Sequence, residues 1–111
     1  MRKIYQDYRK SKIRFPSYLR SLIKRRARGK NLSEELSSLK IFREWMYANS
    51  YEELFDNWAS SDYDAMLKPS VDRLDSYKGY TYNNIQLGTW RQNLDNAQID
   101  PKVLASRKKK E

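Results

Sequence analysis

The stretch SVDRLDSYKGYTYNNIQLGTWRQN, Ser70 to Asn93, decides the fold, because here the apolar spacing changes from helical to alternating and then back. Ser70 to Leu74 reads as a short strand, Asp75 to Gly79 as a turn and Thr81 to Leu87 as a second strand, together a β-hairpin. Thr89 then caps a last helix, TWRQNLDNA, with Trp90, Leu94 and Ala97 facing inward at i, i+4 and i+7. Three polar residues fall at suggestive places: Asp72 on the first strand, Asn84 at the second and Asn93 on the helix. One carboxylate and one amide oxygen converging at a strand–helix junction suit a weak, water-rich site for a hard cation such as Mg²⁺. Asp and Asn near turns more often bond to nearby backbone, and both readings stand on the residues alone.

Upstream of Pro69 the spacing is helical. PSYLRSLIKRRARGK, from Pro16, puts Leu19, Leu22, Ile23 and Ala27 on one face, with proline tolerated in a first turn and Gly29 as a stop. Arg20, Lys24 and Arg28 recur every four residues, a cationic stripe suited to a phosphate backbone, and Arg25 and Arg26 flank it. Asn31 or Ser33 is expected to open a second helix, with Glu34 and Glu35 at its positive end and Leu36, Leu39, Phe42, Trp45 and Met46 buried. Ser50 and Glu53 have the spacing of a capping box for a third helix carrying Leu54, Phe55 and Trp58. Residues 59–69, ASSDYDAMLKP, hold no sustained period and read as a loop ending at Pro69. The fold expected is α+β, with a basic arm at 1–15, one domain of helices and a ββα unit at 16–97, and a flexible basic tail at 98–111.

Charge is distributed unevenly. Residues 1–30 carry twelve Lys/Arg against Asp7 alone, residues 31–100 carry six against twelve acids, and residues 101–111 carry five against Glu111. Solubility asks only for a net charge away from zero, whereas a polyanionic partner explains why the cations gather at the two ends. For the tail, Arg107 to Lys110, a merely solvated face is the simpler reading. With no cysteine and no histidine among 111 residues, disulfide frameworks and thiolate zinc sites are excluded. The absence of a long apolar run or a signal-peptide core points to a cytoplasmic protein.

The segment from Pro69 to Asn96 resembles the HNH nucleases of the His-Me finger (ββα-metal) superfamily, especially a phage-associated branch that runs PSxDRIDxxKGYTxxNxxxxxWxxN. The matching letters here are PSVDRLDSYKGYTYNNIQLGTWRQN. The resemblance implies a ββα-metal finger, double-stranded DNA as partner, Mg²⁺ (or Mn²⁺ in its place) as cofactor, and a phage or mobile-element origin in a host cytoplasm. It implies that Asp72 and Asn93 are metal ligands and that Asn84 braces the loop and orients the general base. It places that base at Arg73, where a guanidinium stays protonated at any ordinary pH. Tyr80, Tyr82 and Asp75 are the other acceptors within the motif, and Arg73 itself suits a phosphate contact or a pairing with Asp72 or Asp75. Lys78 and Arg91, with Arg20, Lys24, Arg25 and Arg28, would extend the contact along DNA. Two functions are expected from this: a metal-dependent endonuclease or nickase with a base other than histidine, or an inactive HNH-derived regulator or inhibitor of a host nucleic-acid enzyme. The charge pattern also admits RNA.

Overall fold

The computed structural model describes residues 10–97, so most of the expected basic arm and the whole tail from Gln98 lie outside the described residues, as does the side chain of Ala97. The chain runs α1 (Phe15–Gly29), α2 (Leu39–Ala48), α3 (Tyr51–Ser60), β1 (Pro69–Arg73), β2 (Ile85–Thr89) and α4 (Trp90–Ala97), a mixed α+β arrangement. Short 3₁₀ turns at Ala65–Leu67 and Tyr82–Asn84 precede the two strands. No helix among the described residues is long and apolar enough to cross a membrane.

α1 forms as its spacing dictates. Pro16 sits in its first turn, Phe15, Leu19, Ile23 and Ala27 are buried along one face, and Arg26 and Arg28 complement the negative end of the dipole. Phe15 is the hub of an aromatic core: its ring lies 6.0 Å from Tyr51, 6.1 Å from Phe55 and 5.5 Å from Trp58. Such stacked, tilted and edge-on pairs add about 0.5–1.5 kcal/mol each beyond area burial.

The second helix starts later than its sequence suggests. It opens at Leu39, where Ser38 in an extended conformation accepts a hydrogen bond from the Ile41 amide, rather than at Asn31 or Ser33. Residues 33–36 are instead drawn out as a tether for the β-hairpin segment: the Tyr80 amide donates to the Ser33 carbonyl at 2.9 Å, and the Glu35 amide donates to the Tyr80 carbonyl at 3.1 Å. Leu36 is fully buried within this extended segment. Tertiary pairing has overridden a local helix signal, because a propensity of tenths of a kcal/mol per residue loses to two backbone hydrogen bonds and a buried leucine. The expected capping box at Ser50 is also absent: Ser50 takes a left-handed conformation (φ 68°) and its side chain caps nothing. That turn bends α2 sharply into α3 and lets the buried Tyr51 donate its hydroxyl to the Lys12 carbonyl at 2.6 Å.

The expected loop of residues 59–69 begins inside α3, which runs to Ser60, and Trp58 anchors the chain beyond that helix by an edge-to-face contact with Tyr63 at 4.9 Å. β1 begins at Pro69, one residue earlier than the spacing suggests, and β2 begins at Ile85, four residues later than Thr81. The delay has a cause. Glu35 Oε1 accepts from the Tyr82 amide at 2.7 Å, and the Asn84 amide donates to the Thr81 carbonyl, so residues 81–84 coil into a turn.

Candidate functional site

β1 and β2 are antiparallel with Ser70 opposite Gly88, Val71 opposite Leu87, Asp72 opposite Gln86 and Arg73 opposite Ile85. Side chains alternate across a strand, so Ser70, Asp72, Gln86 and Gly88 share one face, while Val71, Ile85 and Leu87 share the other. Val71 and Ile85 belong to the hydrophobic core, which assigns the second face to the helical half. The first face meets α4, where Asn93 Nδ2 donates to Ser70 Oγ at 2.7 Å and more weakly to the Val71 carbonyl at 3.4 Å.

α4 is aimed by its own start. The Gln92 amide donates to Thr89 Oγ1 at 3.2 Å while Gln92 Oε1 accepts from the Thr89 amide at 2.8 Å, a reciprocal capping box. The Trp90 amide donates to the Lys68 carbonyl, fixing the helix against the turn that leads into β1. Between the sheet and α4 lies a shallow depression of about 270 Å³ lined by Gln86, Leu87, Gly88, Gln92 and Asn93.

The connection from β1 to β2 is closed from inside by Asn84. Its Oδ1 accepts from the Asp75 amide at 2.9 Å, and its Nδ2 donates to the Gly79 carbonyl at 2.8 Å and to the Asp75 carbonyl at 3.1 Å. Arg73 closes the same connection from outside, with Nη1 donating to the Ser76 carbonyl at 2.6 Å and the Lys78 carbonyl at 3.1 Å. Its guanidinium also lies over the Tyr80 ring, 5.2 Å from the centroid. Gly79 is required by close approach rather than by its backbone angles: a Cβ there would collide with the carbonyl and hydroxyl oxygens of Ser33.

The other acceptors of the motif are occupied in ways that bear on chemistry. Tyr82 has a buried hydroxyl, and burial, reinforced by Glu35, pushes its ionisation above the usual tyrosine range, away from service as a phenolate base. Tyr80 is buried beneath Arg73. Asp75 Oδ1 accepts from the Tyr77 amide at 2.9 Å and so shapes the turn.

The expected cationic stripe is divided. Arg20 Nη1 donates to the carbonyls of Leu36 at 3.0 Å and Ser37 at 3.3 Å, holding the extended tether, and Lys24 Nζ lies 3.9 Å from Glu34. Arg25, Arg28, Lys78 and Arg91 are exposed. Glu34 pairs with Tyr80 in the backbone bridge, so the segment that carries Lys24's acidic partner also anchors the end of the turn. The tethering roles of Ser33, Glu34 and Glu35 escaped sequence reasoning, because two acids after a serine are also what a helix start looks like.

For a divalent cation, the register and the Asn93–Ser70 bond put Asp72 on the sheet face that Asn93 packs against, and Asn93 spends its nitrogen rather than its oxygen in that bond. One carboxylate and one amide oxygen would supply at most two protein ligands, leaving the rest of any cation's shell to water. No group of three or more Asp, Glu, His or Cys suited to a metal occurs among the described residues. Comparison of the chain with protein-family models, with curated proteins and with solved structures returns no match.

Proposed function

We propose that this protein binds the phosphate backbone of double-stranded DNA through an HNH-like finger whose general-base position has become a scaffold position. The observation that carries the reading is Arg73, which donates to two carbonyls of the turn beyond it and covers Tyr80. A guanidinium so placed holds the turn in shape and takes no proton from water. Of the cations expected to meet phosphates, Lys78 at the turn, Arg91 on α4, and Arg25 and Arg28 on α1 are exposed. In this reading the protein acts by occupying DNA, as a regulator or as an inhibitor of another nucleic-acid enzyme.

One observation favours a second reading, a metal-dependent nickase with a base other than histidine. Asp72 and Asn93 are supplied to the same face of the sheet, and Mg²⁺ held by their oxygens would polarise a phosphodiester. Loss of a positioned base costs about 10²–10⁴ in rate, which leaves slow cleavage measurable.

The test is binding to duplex DNA at low salt in EDTA, beside cleavage of supercoiled plasmid with Mg²⁺ or Mn²⁺. Salt-sensitive binding with no nicking in either metal supports the binder. Nicking that disappears in both Asp72→Ala and Asn93→Ala establishes the nickase instead. An absence of DNA binding at any salt concentration defeats both. Arg73→His adds a discriminating arm, since nicking gained on restoring an imidazole would show that only the base had been lost.

A further inference from the structure

Tyr77 is the most exposed large apolar side chain among the described residues, at 81% of its full surface. It does not sit on a loose loop. Its own amide donates to Asp75 Oδ1, the residues on either side offer their carbonyls to Arg73, the Lys78 amide donates to the Asp75 carbonyl, and Asn84 grips Asp75 and Gly79. Gly79 in turn lies hard against Ser33, which fixes the turn to the helical half. The backbone of residues 75–79 is thus held from the inside, the outside and the base, and what it presents to solvent is Ser76, one tyrosine and one lysine.

An aromatic ring carried on a fixed backbone has only two side-chain torsions to lose on contact, which makes it an inexpensive anchor. The ring takes no part in the hydrophobic core of the described residues. A nucleobase offers a π-face of matching size, and Lys78 next to the ring suits the phosphate that accompanies each base.

We propose that Tyr77 stacks on an unstacked base, so that the protein prefers DNA with an unpaired nucleotide, such as a bulge or a gap, over continuous duplex. This rests on the DNA-binding reading above and specifies the form of DNA recognised. Arg73 is then a positioning residue, because it sets the turn from which the ring projects.

The experiment compares a continuous duplex with the same duplex carrying one bulged 2-aminopurine, and an RNA duplex bulged at the same place. The variants are the full chain with Tyr77→Ala, Tyr77→Phe and Lys78→Ala. Tyr77→Ala removes an exposed ring, so its thermal unfolding is expected to match that of the parent and weakened binding is not attributable to misfolding. The parent is expected to bind the bulged DNA more tightly and to quench 2-aminopurine. Tyr77→Ala should abolish the quenching and weaken bulge binding roughly 5- to 100-fold, while Tyr77→Phe keeps both. Lys78→Ala should weaken both DNAs alike. Equal affinity of the parent for bulged and continuous duplex, or quenching that survives Tyr77→Ala, overturns the proposal while leaving DNA binding standing. A stronger preference for the RNA bulge overturns DNA as the partner. Failure to bind any DNA overturns the underlying reading with it.

Discussion

Asn84→Ala tests whether the β1–β2 connection is held from within. Asn84 is 6% exposed and makes three side-chain hydrogen bonds, two to Asp75 and one to the Gly79 carbonyl. Truncation leaves all three backbone groups without that partner. Gly79 is buried, and a buried group left unsatisfied costs about 1–3 kcal/mol, whereas the two groups of half-buried Asp75 recover water and lose about 0.5–1.5 kcal/mol each. The expected loss is therefore about 2–6 kcal/mol, a large share of the roughly 5–15 kcal/mol that holds a small domain together. Urea unfolding followed by circular dichroism measures it, with the melting temperature falling by on the order of 10–20 °C. Asn83→Ala is the control: its exposed neighbour accepts only from Thr81 Oγ1, and its loss should stay within about 0.5 kcal/mol. A loss below about 1 kcal/mol for Asn84→Ala, or equal losses at the two positions, would refute the claim that this amide organises the turn.

Three further outcomes are expected. Gly79→Ala should destabilise by about 2 kcal/mol or more because the new methyl meets Ser33 backbone, whereas Gly29→Ala, with open space around it, should be neutral or stabilise by about 0.5–1 kcal/mol; paired thermal melts decide. If α1 meets phosphates, Arg25→Ala with Arg28→Ala should weaken binding uniformly across DNA sequences and reduce the slope of log affinity against log salt by roughly 2 units. Burial raises the ionisation of Tyr51 well above the tyrosine range, so its proton is kept in the folded chain and lost from the unfolded one above about pH 10. The associated stability is present below that pH and declines as pH rises, by up to about 1.4 kcal/mol per unit. Melting curves between neutral and alkaline pH should show this decline, and Tyr51→Phe should flatten it while costing the bond to the Lys12 carbonyl at every pH.

Period and punctuation made much of the architecture legible. Pro16 and Gly29 bracket α1 as a start and a stop should, and Thr89 with Gln92 closes α4 at its cap. Local signals failed where a distant partner competed. Ser33, Glu34 and Glu35 have the composition of a helix start, yet their backbone pairs with Tyr80, and Glu35 reaches Tyr82 across the fold. Thr81 to Asn84 alternates like a strand, yet Asn84 turns inward to close the loop. In the site, the motif's spacing put Asp72, Asn84 and Asn93 on neighbouring elements, while the partners of Arg20 and Arg73 could not be read from spacing. Both arginines end on backbone carbonyls, and which carbonyls are left over is decided only when the chain has folded.

The partners of Arg73 bear on the proposed function more directly than the absence of histidine does. A base needs a lone pair facing an open site, while a turn that is to present a side chain reproducibly needs its carbonyls tied down. Arg73 meets only the second need, with one nitrogen bridging Ser76 and Lys78 and its plane over Tyr80. Asn84 and Gly79 serve that need from two other directions, so three parts of the fold converge on five residues whose exposed content is Ser76, Tyr77 and Lys78. Such over-determination has a conformational cost that core stability alone would not demand, since none of those three side chains is buried. It would be accounted for if, as proposed, the turn is the contact surface, and Arg73 would then serve that surface by holding its backbone.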